Sequence, residues 1–322
     1  MKRTLLTGAT GFVGANLARR LLTAGHEVHL LLRKEHQTWR IDAIMKDVQV
    51  HVVDLNDVES LEKVVASIHP EWIFHLAAYG AYSSQTHFRR MVDTNLMITT
   101  NLVDACIKTG FEVFINTGSS SEYGYKDHAP IEQEWLEPNS AYAVLKAAAT
   151  HYCRFISQSK QVNLATLRLY SVFGPFEEPS RLIPTLITAG LSGKLPPLVA
   201  PDIARDYIFV DDVSEAYLTA ASNPTSLAGQ VYNIGSGVQR TLKEVVDTAC
   251  AVLPVKEAPV WGSMPDRRWD TSIWVANINH AVQHLGWSPR FSFAEGFNRF
   301  VEWFEADTDR ISFYNTNRKL PD

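Results

Sequence analysis

Apolar residues along this chain fall into two alternating patterns. Short continuous runs are followed by segments in which apolar positions recur every three or four residues. The first such pair is Arg3–Thr7, then Phe12, Val13, Leu17, Leu21 and Leu22 as far as Gly25. An apolar run, glycines and then a helical period predict strand, turn and helix. Runs at 28–32, 48–53, 72–76, 113–116 and 164–169 predict further strands, separated by helix-length segments. Strands that are apolar throughout are covered on both faces. The expected fold class is therefore α/β, with a doubly wound parallel sheet.

Past Phe173-Gly174-Pro175 the pattern becomes Pro-punctuated, with Leu195-Pro196-Pro197 and Ala200-Pro201. Helices at 242–253 and 293–305 fit a smaller C-terminal lobe, while 206–210 and 231–234 read as strands returning to the first sheet. The expected division is 1–172 plus about 205–235 for one domain, and about 173–204 with 236–322 for a discontinuous second lobe. The tail at 307–322 is polar and reads as loosely held.

Composition narrows the function classes. The chain has 322 residues, 46% of them hydrophobic and 20% charged, with a net charge of −5. Such a chain buries a large core and presents no basic field to nucleic acid. Cys106, Cys153 and Cys250 lie far apart, with neither zinc spacing nor the even count of a disulfide framework, so no metal site is expected and a reducing cytoplasm suits them. No apolar run approaches the roughly 18 residues of a membrane span. Glycines interrupt the N-terminus too early for a signal peptide. The expectation is a cytoplasmic protein that is neither exported nor membrane-spanning.

Gly8, Gly11 and Gly14, in TGATGFVG, lie between the first expected strand and helix. Glycines there permit a tight turn and let backbone N–H groups approach a phosphate, while the helix N-terminus faces the anion. In this setting the loop points to a dinucleotide and the fold to the Rossmann type. Where an NAD site has a carboxylate for the ribose hydroxyls, after the second strand, this chain has Leu32 followed by Arg33 and Lys34. A guanidinium beside an ammonium favours the 2′-phosphate of NADP. NADP(H) is the preferred cofactor and NAD the alternative.

Tyr142 and Lys146 are one helical turn apart, on a helix that Ser140 is placed to cap, and Ser119 lies just beyond the fifth expected strand. A free phenol titrates near 10. Lys146 and an oxidised nicotinamide are expected to lower that value, so that Tyr142 exchanges a proton with a substrate hydroxyl or carbonyl oxygen. Lys146 would also hold the nicotinamide ribose, and Ser119 would orient the same substrate oxygen.

The Gly-x-x-Gly-x-x-Gly spacing and the Ser/Tyr/Lys set resemble the extended short-chain dehydrogenases/reductases. An ordered series of segments agrees: FHLAA at 74–78, DTNL around Asn95, LRLYSVFGP at 167–175, RDYIFVDDV at 205–213, NIGSG at 233–237 and LGW at 285–287. Together they resemble the NAD-dependent epimerase/dehydratase family of nucleotide-sugar enzymes. The resemblance implies cofactor contacts from Thr10, Phe12, Val13, Asp54, Leu55, Leu76, Ala77, Ala78, Asn95, Thr117 and Tyr170, beside the glycines, Tyr142 and Lys146. It implies a nucleotide-diphosphate sugar touched by Tyr79, Ser120, Ser121 and Ser171, with Arg181, Arg205 and Arg267 near the diphosphate. A homodimer through helices near 93–109 and 142–157 is implied as well.

Dehydratases of this family carry an acidic pair directly after the catalytic Ser or Thr. Here those positions are Ser120 and Ser121, and a hydroxyl is not a base. Glu122 is one place further on, pointing to the opposite side if it lies on a strand, unless the register shifts. A 4-epimerase shares the Ser/Tyr/Lys set but keeps NAD through turnover, which Arg33 and Lys34 oppose. The YGAYSS and RRWD segments resemble 4-keto-6-deoxy-hexose reductases such as those making CDP-abequose. Ser171 departs from the Asn that many epimerases have near the substrate phosphates. The expected activity is NADPH-dependent reduction of the 4-keto group of a nucleotide-linked 6-deoxy sugar. A 4-epimerase is the alternative, with a 4,6-dehydratase behind it, and an NADP-sensing binding protein is the non-enzymatic reading.

Overall fold

The structure is a computed structural model that describes residues 1–82, 84–264 and 271–318. Its strands in chain order are β1 (Arg3–Thr7), β2 (Glu27–Leu32), β3 (Gln49–Val52), β4 (Trp72–His75), β5 (Val113–Ser119), β6 (Leu164–Leu169), β7 (Ser171–Phe173), β8 (Ala204–Phe209), β9 (Val231–Ile234) and β10 (Gln239–Thr241). Its helices are α1 (Phe12–Thr23), α2 (Val58–Ile68), α3 (Phe88–Val92), α4 (Ile98–Thr109), α5 (Ala141–Lys160), α6 (Leu182–Leu191), α7 (Val210–Ser222), α8 (Leu242–Val252), α9 (Phe293–Glu305) and α10 (Thr308–Asn317).

The larger sheet has the order β3-β2-β1-β4-β5-β6-β9, all parallel. Alternate residues of its central strands enter two separate cores. Leu6, Phe74 and Ile115 pack under α1 and α7, while Leu5, Ile73 and Phe114 pack under α2, α4 and α5. Burial on both faces is why these strands carry no polar alternation. The chain order reverses between β1 and β4, which opens a crevice at their C-terminal ends. Helix α1 stops where Gly25 takes a φ of 77°, with the Gly25 and His26 N–H groups donating to Leu22 and Leu21.

A smaller sheet, β10-β8-β7, lies against α6, α8, α9 and α10 around a third core. Two expectations are corrected here. The strand at 206–210 does not return to the large sheet: β8 pairs with β7, in register Ser171↔Tyr207 and Phe173↔Phe209, and only β9 returns. Aromatic packing draws it there, with Phe173 at 5.6 Å from Phe209 and 5.1 Å from Phe293 between ring centroids. The tail is likewise held down as far as it is described. Helix α10 buries Tyr314, whose hydroxyl donates to the Glu177 carbonyl at 2.9 Å. Among the described residues no helix is long and apolar enough to cross a membrane, and no cluster of three or more His, Cys, Asp or Glu is arranged for a metal ion.

Candidate active site

The glycine loop sits in the crevice between β1 and β4, and the need for glycine is steric. Gly8 has a φ of 73°, and a Cβ there would lie 2.5 Å from the Leu76 carbonyl carbon and 2.6 Å from the Ala77 nitrogen. A Cβ on Gly14 would lie 2.2 Å from the Gly8 oxygen. Gly11 donates to that oxygen at 2.9 Å and begins α1 with no side chain capping the helix. The first-turn N–H groups, with Phe12 buried and Val13 half-buried beside them, thus keep their hydrogen-bonding capacity for an anion. The loop residues fit a dinucleotide pyrophosphate. The Thr10 carbonyl accepts from Arg40 at 3.3 Å.

The loop after β4 is held from below by a chain of side chains. Thr99 donates to the Asn95 carbonyl at 3.0 Å, so it accepts from His75 Nε2–H, also at 3.0 Å. His75 Nδ1 then accepts the Thr7 hydroxyl at 2.7 Å, and Thr7 in turn accepts the Leu76 and Ala77 N–H groups. Burial pushes the His75 pKa down to about 3, helped by Lys146, so the ring is neutral. Asn95 lies on a π-helical turn and clamps Tyr79, accepting from its N–H at 3.0 Å and donating to its carbonyl at 2.6 Å. Thr7 and Thr99 carry no motif of their own, and His75 is visible in sequence only as part of FHLAA.

Helix α5 positions the Tyr/Lys pair. Ser140 caps it by accepting the Ala143 N–H at 3.2 Å. Ala143, Lys146, Thr150, Cys153 and Ser157 form its buried stripe, which is why Lys146 is inside. Tyr142, one turn earlier, is half-buried and hydrogen-bonded to the Ser119 side chain. A Cβ on Gly80 would lie 3.2 Å from the Tyr142 ring, so the Tyr79–Gly80 loop segment lies against it. Burial pushes the Tyr142 phenol up to about 12, partly offset by Ser119. Lys146 itself is pushed down by burial, with Glu122 opposing.

Glu122 is not on a strand. It lies in a single 3-10 turn, Ser120–Tyr123, that closes a capping box: Ser119 Oγ accepts the Ser121 N–H at 3.2 Å, and Glu122 Oε1 accepts the Ser119 N–H at 2.8 Å. The same carboxylate accepts from Thr150 at 3.1 Å and from Arg168 Nε at 2.8 Å. Fully buried, it anchors Ser119 from behind.

On the other wall, Ser120 and Tyr170 line a cavity with Trp274, and the Arg205 guanidinium lies 5.5 Å from the Trp274 ring. Ser171 begins β7, half-buried. Arg181 lies 3.7 Å from Glu177 and 6.0 Å from the ring of Tyr82, whose pKa burial raises. Glu177 is buried with Oε2 unpartnered, and burial pushes its pKa up to about 8. Neither Glu177 nor Tyr82 stands out in sequence as a site residue, because only the turn after β7 and the loop after β4 bring them together. Arg33 and Lys34 are exposed past the end of β2. Exposed Asp54 accepts from Asn56, while Leu55 is buried and Ala78 exposed. Thr117 shares a hydrogen bond of 2.6 Å with Tyr217. Arg267 and the RRWD segment lie outside the described residues.

Residues 4–235 match the NAD dependent epimerase/dehydratase family. The chain belongs to that family. It is 29% identical to a UDP-glucose 4-epimerase of Mycolicibacterium smegmatis, over 94% of this chain and 98% of the relative. It is 27% identical to a dTDP-glucose 4,6-dehydratase of Neisseria gonorrhoeae, over 94% of this chain and 95% of the relative. Among solved structures, the UDP-glucose 4-epimerase of Thermus thermophilus in complex with NAD superposes with a TM-score of 0.82 at 28% identity, covering 94% and 98% of the two chains. For a member of the NAD-dependent epimerase/dehydratase family, the uncapped α1 terminus, the close Gly8 approach and the Ser119–Tyr142 bond are the parts that bear on chemistry.

Proposed function

We propose that this family member reduces the 4-keto group of a nucleotide-linked 6-deoxy sugar, using NADPH. The observation that carries the reading is the character of the groups at the site. Glu122, the carboxylate next in sequence to the serines, is spent on Ser119, Thr150 and Arg168, while Tyr142 is hydrogen-bonded to Ser119, placed to give a proton. A reduction needs an acid to protonate the new alkoxide. A dehydration also needs a base, and Ser120 and Ser121 supply none.

Gly8, Gly11, Gly14 and the N-terminus of α1 would hold the pyrophosphate, with Arg33 and Lys34 on the 2′-phosphate. When bound, the nicotinamide supplies hydride. Ser119 and Tyr142 hold the ketone oxygen between two hydroxyls, and Tyr142 gives it a proton. Lys146, one turn along α5, would hold the nicotinamide ribose. Arg181 and Arg205, with Arg267, would receive the substrate diphosphate, bridging the large sheet and a smaller lobe. Met97, Val144 and Phe155 remain exposed on and beside α4 and α5, and they support pairing with a second copy.

A second reading, a 4-epimerase with NAD, is favoured by the relatives, since the M. smegmatis and T. thermophilus proteins are 4-epimerases. One experiment separates the two. Purified protein is denatured to release any bound cofactor and, separately, mixed with NADPH and CDP-, dTDP-, GDP- and UDP-linked 4-keto sugars while absorbance is followed. Substrate-dependent NADPH loss supports reduction. Stoichiometric NAD in the released fraction, with no NADPH oxidation across the panel, transfers the assignment to the epimerase.

A further inference from the structure

We propose that Glu177 is a positioning residue for the substrate diphosphate: it holds the Arg181 guanidinium by its inner nitrogen and takes up a proton when an anion binds the outer two. Both residues lie in the turn between β7 and α6. Glu177 Oε1 is 3.7 Å from Arg181 Nε, yet the Glu177 side chain is 5% exposed and that of Arg181 46%. A buried carboxylate is thus paired with a guanidinium whose outer edge is open. Among the described residues the terminal nitrogens of Arg181 make no hydrogen bond, so both are available to an anionic ligand.

The surroundings make Arg181 the cation on which the Glu177 charge depends. Arg40 also faces Glu177, but its guanidinium donates to Glu178 at 2.9 Å and to the Phe176 and Thr10 carbonyls at 2.8 and 3.3 Å. Glu178 brings a like charge to the same turn. Tyr82 faces Glu177 from the loop after β4, and burial keeps its phenol neutral. Tyr314 of α10 gives its hydroxyl to the Glu177 carbonyl at 2.9 Å, leaving the carboxyl oxygen Oε2 without a partner. The turn cannot yield to supply one. Phe176 takes a left-handed φ of 70°, its ring 5.0 Å from Trp303 and 4.0 Å from the Arg19 guanidinium.

Arg181 lies 6.0 Å from the Tyr82 ring, in the loop whose Gly80 rests against Tyr142, so an anion on its outer nitrogens borders the candidate active site. Such an anion offsets the positive field that keeps Glu177 ionised, and a buried carboxyl then favours its neutral form. Either form keeps an oxygen to accept from Nε–H, so the guanidinium stays oriented. Burial already holds the Glu177 pKa up at about 8 despite Arg181. A further rise of about one unit gives an uptake of about 0.5 proton per site near pH 8.5 and almost none at pH 6.5. By the same linkage, affinity falls about threefold between those two pH values.

This role rests on the proposed nucleotide-sugar function, and the two fail differently. With NADP⁺ saturating, wild type is titrated calorimetrically with CDP-, dTDP-, GDP- and UDP-glucose. The sugar that binds best is titrated again at pH 6.5 and 8.5, each in two buffers of different ionisation enthalpy, which converts the difference in heat into protons taken up. Wild type is expected to take up about 0.5 proton per site at pH 8.5 and almost none at pH 6.5, and to bind about threefold more weakly at the higher pH. Glu177→Gln is expected to take up none at either pH and to lose the fall in affinity. Arg181→Met should bind about tenfold more weakly, or worse, at both. A wild type that takes up no proton at pH 8.5, a Glu177→Gln protein that takes up as many as wild type, or an Arg181→Met protein of wild-type affinity overturns the positioning role and leaves the function standing. Failure of every nucleotide sugar to bind overturns both.

Discussion

Glu122 is the residue on which a structural and a catalytic role make opposite forecasts. The perturbation is Glu122→Gln. The carboxylate is fully buried, its partner Arg168 is 2% exposed, and the bond between them is 2.8 Å. Removing one charge from a buried pair costs about 3–5 kcal/mol, because the other is left uncompensated. Glutamine keeps an oxygen for the Ser119 N–H and the Thr150 hydroxyl, which places the expected loss near the low end, about 3 kcal/mol. At roughly 2.1 cal/mol/K of unfolding entropy per residue, a chain of this length melts about 4 °C lower. Calorimetry of Glu122→Gln, Arg168→Met and the double variant checks the assignment. The double variant should be more stable than the two single effects predict by about 1 kcal/mol or more, because it leaves no orphan charge. Turnover should fall by less than about tenfold, through displacement of Ser119 alone. A Glu122→Gln protein that melts with the wild type yet has lost all turnover would refute the reasoning and make Glu122 a base.

Tyr142→Phe should lower turnover by about a hundredfold or more, with cofactor affinity nearly unchanged by titration; full turnover would remove Tyr142 as the acid. Gly14→Ala drives a Cβ into the Gly8 oxygen, so the variant should lose cofactor affinity in fluorescence titration and melt several degrees lower. His75 is neutral when folded, so between about 6.5 and 3 the unfolded chain binds a proton that the folded one does not. Stability should therefore fall with acidity over that window, by up to about 1.4 kcal/mol per pH unit, and His75→Gln should flatten the slope in pH-dependent melts. Glu177 has the opposite sign. Its folded value, about 8, lies above the ordinary 4.5, so its contribution is complete below 4.5 and is lost as the pH rises through 8. The stability of Glu177→Gln relative to wild type should accordingly rise between pH 5 and 9.

Much of the fold was legible in one dimension because its signals are local. Strands buried on both faces read as unbroken apolar runs, glycines mark a turn where no Cβ fits, and Ser140 caps a helix whose buried stripe carries Lys146. The Ser119, Tyr142 and glycine-loop positions follow from that local order, and the structure joins Ser119 to Tyr142. What sequence could not decide is set by contacts between distant segments. Whether β8 joins the large or the small sheet depends on which aromatic partners it meets, and Phe173 and Phe293 are 36 and 84 residues from Phe209. Whether Glu122 faces the cleft or the interior depends on Arg168, which arrives from the neighbouring strand. The upward shift of the Tyr142 phenol comes from burial, which no spacing encodes. Residue type and periodicity determine which elements form and which chemistry is available. Only the packed structure decides which polar groups neutralise one another and which, like the Tyr170 hydroxyl, are left unpaired.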